Sequence, residues 1–246
     1  LRPVLRTGGR KLQRRVTSPP PPRLDALDVI IPVLNGAERL AGTLDALAPV
    51  NAVIVVDGGS TDGSVAVAVA RGAQVIRSPP GRGLQLGTGA AVSTAPWRLF
   101  LHADTRPDAA AWAALVDYIH QPASATRAAV FRFRLDDPAW QARLLEFGVG
   151  LRGAVLALPY GDQGLLIHRD LYDAVGGFAR LPLMEDVDLV RRLGRRRLRL
   201  LDGAAVTSAE RWRRRGWIGQ SVLNLSCLAL YLLGVAPARI ARLYGR

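Results

Sequence analysis

Four times between Leu27 and Ile119 a short apolar, β-branched run gives way to a helical stretch across a turn of a few residues. That alternation constrains the fold more than any other feature of the chain. The runs are LDVIIPVL (27–34), AVIVVD (52–57), AQVIRS (73–78) and WRLFLHAD (97–104). A run that is apolar at nearly every position suits a strand buried on both faces. Between them, Leu40, Leu44 and Leu47 recur at i, i+4 and i+7 behind an N-x-x-E start signal at Asn35 and Glu38. An Ala/Val helix runs to Arg71 and is stopped by Gly72. PPGRGLQLGTGAA (79–91) is a glycine-rich loop opening a helix, and Trp112, Leu115, Val116 and Ile119 form a helical stripe after Pro107. The pattern predicts an α/β fold with a mostly parallel central sheet, right-handed crossovers and helices on both faces. Ligands of such sheets sit at the carboxyl ends of the strands. Asn35, Asp57, the Arg82 loop and Asp104 all fall there.

The second half is less regular. AAVFRFRL (128–135) alternates like a half-buried strand, and 139–151 reads as a helix. YGDQGLLIHRD (160–170) gives a turn and a strand, and LYDAVGGF (171–178) a short helix ended by Gly176 and Gly177. LMEDVDLVRRL (183–193) starts another helix with its acids in the first turn, where the dipole favours them. RRLRLLDGAAVTSA (196–209) holds one or two strands. Three regions result: a basic, Pro-rich tail over 1–23, expected to be disordered; a domain over 24–212; and a basic and apolar helical extension over 213–246. Within the extension, 216–237 has no charge and carries a mildly polar stripe at Gln220, Asn224, Cys227 and Tyr231. Three readings stay open for it: a helix lying in a membrane interface, a helix packed on protein, or a membrane span.

The net charge is +13, which favours anionic partners. Nearly all of it is arginine, since Lys11 is the only lysine, and no aromatic-basic motif or zinc spacing points to nucleic acid, so none is expected as a partner. Cys227 is the only cysteine, which excludes an intrachain disulfide.

On a strand, His102 and Asp104 face the same side, and an imidazole with a carboxylate suits a borderline divalent ion such as Mn²⁺. Water and phosphate would complete its shell. Alternatively Asp104 caps the helix after Pro107. Asp57, before a Gly-Gly turn, could accept from a base or a ribose hydroxyl, or simply hold the turn. Arg82 at a helix start makes an anion site with the backbone N–H groups. Asp186 could take a proton from an attacking hydroxyl, or only complement the helix dipole.

The order and spacing of VIIPVLN, VVDGGSTDGS, GRGLQLGTGA, FLHADT, GGF and MED resemble the family 2 glycosyltransferases of the GT-A fold, from about Asp28 to about Trp212. More narrowly, VDGGSTDGS, LHADT, PYGDQG and LPLMEDVDL are similar to the bacterial subgroup labelled radical-SAM/selenodomain-associated transferases. The resemblance implies that Pro32, Val33 and Asn35 line a nucleotide, that Asp57, with Gly58 beside it, contacts the base, and that Arg82 and Gln85 lie near the diphosphate. It places the metal-binding D-x-D on His102-Ala103-Asp104, so that Asp104 and His102 would hold Mn²⁺ or Mg²⁺. It makes Asp186 the catalytic base, with Glu185 beside it. Asp162 and Gln163 would border the acceptor or donor sugar, as would Arg211 and Trp212. Three positions depart from the family: Gly58 replaces a second Asp, His102 replaces the first Asp of D-x-D, and Ser208 stands where processive members carry the Gln of Q-x-x-R-W. The last argues against processive polymer synthesis.

The expected activity is a metal-dependent, inverting hexosyl transfer. The donor is a nucleotide-diphospho-sugar, UDP being the commoner family choice. The acceptor offers a hydroxyl or carboxyl, lipid-linked and apolar acceptors being among the candidates. The expected place is the cytoplasmic face of the plasma membrane, held peripherally on an anionic surface, or the cytoplasm. Two alternatives remain: a sugar-phosphate nucleotidyltransferase, whose Gly-rich, Lys-bearing signature near the first strand is missing, and a degenerate nucleotide-sugar-binding membrane protein.

Overall fold

The computed structural model describes residues 24–156 and 161–245, so the expected tail over 1–23 and Pro159 and Tyr160 of the PYGDQG stretch lie outside the described residues. The first half runs β1 (Leu24–Val33), α1 (Ala37–Asp45), β2 (Val50–Asp57), α2 (Ser64–Ala70), β3 (Gln74–Arg77), α3 (Arg82–Val92), β4 (Trp97–Phe100), β5 (Thr105–Pro107) and α4 (Ala109–Ile119). The second runs β6 (Ala128–Leu135), α5 (Trp140–Leu156), β7 (Leu165–His168), α6 (Arg169–Ala174), α7 (Glu185–Leu193), β8 (Leu198–Thr207), α8 (Glu210–Arg215), α9 (Trp217–Leu232) and α10 (Pro237–Tyr244). One sheet holds all these strands in the order β3-β2-β1-β4-β7-β6-β8-β5. β3, β2, β1 and β4 are parallel, as helical crossovers require. β7 is antiparallel to both its neighbours, β8 is parallel to β6, and β5 is antiparallel to β8.

Alternate residues of the inner strands feed two cores. Val29, Ile31 and Val33 join Leu99 and Leu101 against Leu40 of α1, Ala68 of α2 and Leu115 of α4. Ile30, Ile54, Val56 and Phe100 turn to the other face, against Leu86 and Ala90 of α3 and Leu189 of α7. Helix α3 lies so close to the sheet that a Cβ on Gly89 would come within 2.5 Å of the Ile30 side chain. The fully buried Asp28 anchors the start of this half: its carboxylate accepts from Asn51 and Ser93 side chains and from the N–H groups of Thr94 and Ala95.

Several sequence expectations need correction. The fourth strand stops at Phe100 rather than Asp104. After Leu101 donates to Ile30 the chain turns, Thr105 N donates to His102 O, and β5 moves to the far edge to pair with β8. His102 and Asp104 therefore sit in a turn, and the same-side argument for a strand does not apply. Helix α1 starts behind Gly36, with no side-chain cap from Asn35, and α4 is capped by Asp108, which accepts from Ala111 N at 2.7 Å, not by Asp104. The segment 196–209, read as one or two strands, holds one, Leu198–Thr207, which agrees with that reading. In the uncharged C-terminal run α9 ends at Leu232, before Gly234, and α10 begins only at Pro237, the run's last residue; among the described residues no helix is long and apolar enough to cross a membrane. Both helices pack instead on α7, where Cys227, Leu228, Ile240 and Ala241 meet Leu183, Met184, Val187 and Val190.

Candidate active site

The carboxyl end of β1 and the turn after β4 open onto a cleft of about 620 Å³. Its walls come from Pro32 and Val33 at the end of β1, Arg82 and Gln85 of α3, the His102–Asp104 turn, and Arg211 of α8. A smaller pocket of about 80 Å³ adjoins it, lined by Asp162, Asp186, Thr207, Trp212, Asn224 and Tyr244 among others. Arg82, His102 and Arg211 line both spaces, so they form the partition between them.

Both arginines are held by acids. Arg82 Nε lies 2.8 Å from Glu185 Oε1, and its guanidinium also meets His102 Nε2. Burial pulls the Arg82 guanidinium toward its neutral form, but the Glu185, Asp186 and Asp104 carboxylates outweigh this and raise it above its ordinary value. Arg211 Nη2 donates to Asp104 Oδ2 at 3.0 Å, and there too the acid overcomes burial. Local folding explains the aim of Arg82. Gly83 N donates to Leu181 O, and a Cβ at Gly83 would lie 2.1 Å from Ala179 O, so the start of α3 is pressed under the 179–181 segment. Among the described residues the two non-glycines with positive φ, Asn35 (49°) and Met184 (66°), both border this region. Met184 precedes Glu185 in the left-handed conformation and so sets how α7 enters the site.

Of the residues singled out from sequence, Pro32, Val33, Arg82, Gln85, His102, Asp104 and Arg211 line the larger cleft. Gln85 is also a structural tie: its buried amide donates to Val33 O and Val56 O, bolting β1 to β2. Gly58 lies against that amide, where a Cβ would approach Gln85 Nε2 to 3.0 Å. Asp57 is buried and accepts from the N–H groups of Gly59 and Ser60 at 3.3 and 3.0 Å, so its carboxylate holds the turn after β2. Asn35 takes Thr61 N on its Oδ1 and gives its own N–H to Ser60, linking that turn to β1. Asp186 and Glu185 separate. Asp186 lines the small pocket, while Glu185 is fully buried with its carboxylate on Arg82, which suits it to positioning rather than proton transfer. Asp162 and Gln163 separate as well: Asp162 borders the small pocket, whereas Gln163 donates to Phe131 O and lines a different hollow over β6 and α5. Asn224 and Tyr244, which sequence reasoning did not place in the site, form its outer wall. The polar stripe of 216–237 was the visible sign of Asn224; Tyr244 had none.

Asp104 Oδ1, Asp162 Oδ1 and Trp212 Nε1 are buried polar atoms of the site with no hydrogen-bond partner. Each is costly to leave unmet, which marks the site as built for a polar ligand. Asp104 Oδ1 and the side of the His102 ring away from Nε2, which meets Arg82, are the groups that could hold a divalent cation. Among the described residues no group of three or more His, Cys, Asp or Glu could hold one, so a cation there would need water or ligand oxygens as well.

Burial pushes the Asp162 carboxyl up to about 6; Arg152 pulls it down, Asp186 pushes it up, and Arg211 and Arg82 pull it down. Its folded value thus lies above its unfolded one. The stability it contributes is complete below the unfolded value near 3.8 and is lost as pH rises through about 6. Asp162→Asn should therefore raise the thermal midpoint by several degrees at pH 8 and change it little at pH 4. An equal effect at both pH values, in paired calorimetric scans, would exclude this account.

Comparison with known proteins follows the same geometry. The family model for glycosyl transferase family 2 matches residues 28–179. Uncharacterized glycosyltransferases of Mycobacterium tuberculosis and Mycobacterium bovis are 38% identical over 86 residues, 35% of this chain and 39% of theirs, so the chain spans about two fifths of the curated relatives it matches. Glucosyl-3-phosphoglycerate synthase from Mycobacterium tuberculosis, solved with phosphoglyceric acid, superposes with a TM-score of 0.53 at 20% identity, covering 72% of this chain and 70% of that one. The same enzyme with Mn²⁺ and UDP-glucose gives 0.53 at 19% identity over 74% and 71%. At that identity the likeness concerns the fold. The mixed sheet, the cleft at its carboxyl edge and the matched family model agree: this chain belongs to glycosyl transferase family 2.

Proposed function

We propose that this chain transfers a sugar from a nucleoside-diphosphate donor to an acceptor hydroxyl, with inversion at the anomeric carbon. The observation that carries the reading is the shared partition. A large cleft holding the unpartnered Asp104 Oδ1 meets a small pocket holding Asp186, and Arg82 and Arg211 stand between them. The donor's nucleotide and diphosphate occupy the cleft, against Pro32, Val33 and Arg82, and the acceptor enters the small pocket.

Asp186 takes the proton of the acceptor hydroxyl as its oxygen attacks the anomeric carbon. The bond from that carbon to the diphosphate oxygen breaks, and the electron pair leaves with the nucleoside diphosphate. Arg82 and Arg211, already fixed by Glu185 and Asp104, meet that charge without reorganising. Asp104 and His102 would hold Mn²⁺ or Mg²⁺, which supplies further charge stabilisation to the diphosphate when bound. Glucosyl-3-phosphoglycerate synthase, similar in fold, supports this choice, since it was crystallised with Mn²⁺ and UDP-glucose and also with Mg²⁺ and UDP; a uridine donor is the first to test.

The test is thermal unfolding with UDP-, GDP- and dTDP-sugars, each with and without Mn²⁺ or Mg²⁺. One nucleotide should stabilise the protein in a metal-dependent way. The gain is about 2.7 kcal/mol at a hundred times its dissociation constant, and Asp104→Ala should abolish the metal dependence. A folded protein that responds to no nucleotide sugar would overturn the proposal.

A further inference from the structure

Helix α9 carries its apolar side outward. Its polar stripe faces the protein: Gln220 is buried and donates to Asn224 Oδ1 at 2.8 Å and to the Tyr244 hydroxyl at 3.2 Å, Cys227 is buried, and the Tyr231 hydroxyl reaches Asp188. The opposite stripe is Ile218, Val222, Leu225 and Leu232, exposed by 81, 56, 57 and 47%, at i, i+4, i+7 and i+14. That is one continuous apolar face about 21 Å long. Helix α5 repeats the pattern, with Trp140, Leu144, Phe147 and Leu151 all outward and more than half exposed. The two helices adjoin, because Leu145 of α5 and Trp217 of α9 pack against the same buried group around Phe133 and Trp212. Apolar faces of this extent mark an interaction surface.

Charge identifies what covers it. From Arg211 to Arg246 there are seven arginines and no Asp or Glu. Helix α10 buries Ile240 and Ala241 and leaves Arg239 and Arg242 in solvent, while Arg214 stands exposed just before α9. An apolar helix face bordered by arginines, on a helix too short to span, has the chemistry of one that lies in the interface of an anionic bilayer. A second protein copy would set its own exposed Arg214, Arg239 and Arg242 against these.

We propose that the outward face of α9, with that of α5 beside it, docks on an anionic lipid surface. The inward side of the same helix supplies Asn224 and Cys227 to the pocket that holds Asp186. Docking therefore sets that pocket beside the membrane, where the acceptor hydroxyl belongs to a lipid headgroup or lipid-linked sugar; this last step rests on the reading of the pocket as the acceptor site.

The experiment is flotation of the full chain with phosphatidylcholine vesicles, with and without phosphatidylglycerol, at physiological salt. Brominated acyl chains report on Trp140 as a quencher. The protein should float with the anionic vesicles only, and its tryptophan emission should be quenched. Ile218→Ser/Val222→Ser/Leu225→Ser changes only outward side chains and should abolish flotation with its far-UV spectrum unchanged. Arg239→Gln/Arg242→Gln should weaken it by more than about tenfold. No flotation on anionic vesicles would overturn the proposal, as would equal flotation on neutral ones. So would a dimer in sedimentation that the triple variant dissolves while vesicles go unbound. Nucleotide-dependent thermal shifts, measured in solution on the same samples, report separately on the transferase reading; flotation without any such shift leaves the lipid surface standing and removes the transfer.

Discussion

Asp186→Asn should lower turnover by roughly 10³-fold while the nucleotide-dependent thermal shift stays near that of the unaltered protein. The geometry separates the two effects. Asp186 lines the small pocket and is not among the residues of the larger cleft. Its Oδ1 accepts from Val187 N at 2.8 Å, a bond that an asparagine carbonyl keeps, so the start of α7 should survive the change. What asparagine cannot do is take a proton from an attacking hydroxyl. Glu185→Gln provides the contrast. That carboxylate lies fully buried on Arg82, and its loss should loosen Arg82 and reduce donor binding as well as rate. Measuring donor consumption and thermal shift for both variants distinguishes a base from a positioning group. Normal turnover by Asp186→Asn would remove it from that role.

The parallel half of the sheet could be read directly because each of its inner strands is covered on both faces. Burial on both faces writes itself as an unbroken apolar run, as in Val29-Ile30-Ile31 and Val55-Val56. The His102–Asp104 turn could not be read. The chain there leaves β1 as a partner and takes up β8, about a hundred residues later in the sequence, and nothing local announces that exchange. Glu185 and Asp186 show the same limit at closer range. They are adjacent acids at a helix start, and only the position of Arg82 decides which is buried on a cation and which lines the pocket. The resemblance sets Gln85 near the diphosphate, but its second task could not be read, because the carbonyls it bonds belong to two strands far away in sequence. The stripe of α9 was visible as a period, but its direction was set by the apolar group at Leu183 and Met184 before α7 and Val187 and Val190 within it.

Arg82→Ala should cost about 3–5 kcal/mol of stability, because it strands the fully buried Glu185 carboxylate without its cation. For a chain of this size that lowers the thermal midpoint by roughly 10 °C. The deficit should shrink as pH falls, since an unpaired buried carboxylate takes up a proton and stops being a charge. Arg82→Ala/Glu185→Gln should recover much of the loss at neutral pH, because the second change removes the stranded charge itself. Nucleotide binding should behave differently. Arg82 lines the cleft, so the single and double variants should both lose most of the nucleotide-dependent shift, and no repair at Glu185 restores it. Denaturant titrations of the four proteins with and without nucleotide sugar make the comparison. A stable single variant would mean that the pair is not an ionic one. A double variant no more stable than the single would mean that the cost lies in the lost side-chain packing of Arg82. Recovery of stability without recovery of binding is the result that assigns Arg82 both tasks: anchored to Glu185 on one side, and presented to the diphosphate on the other.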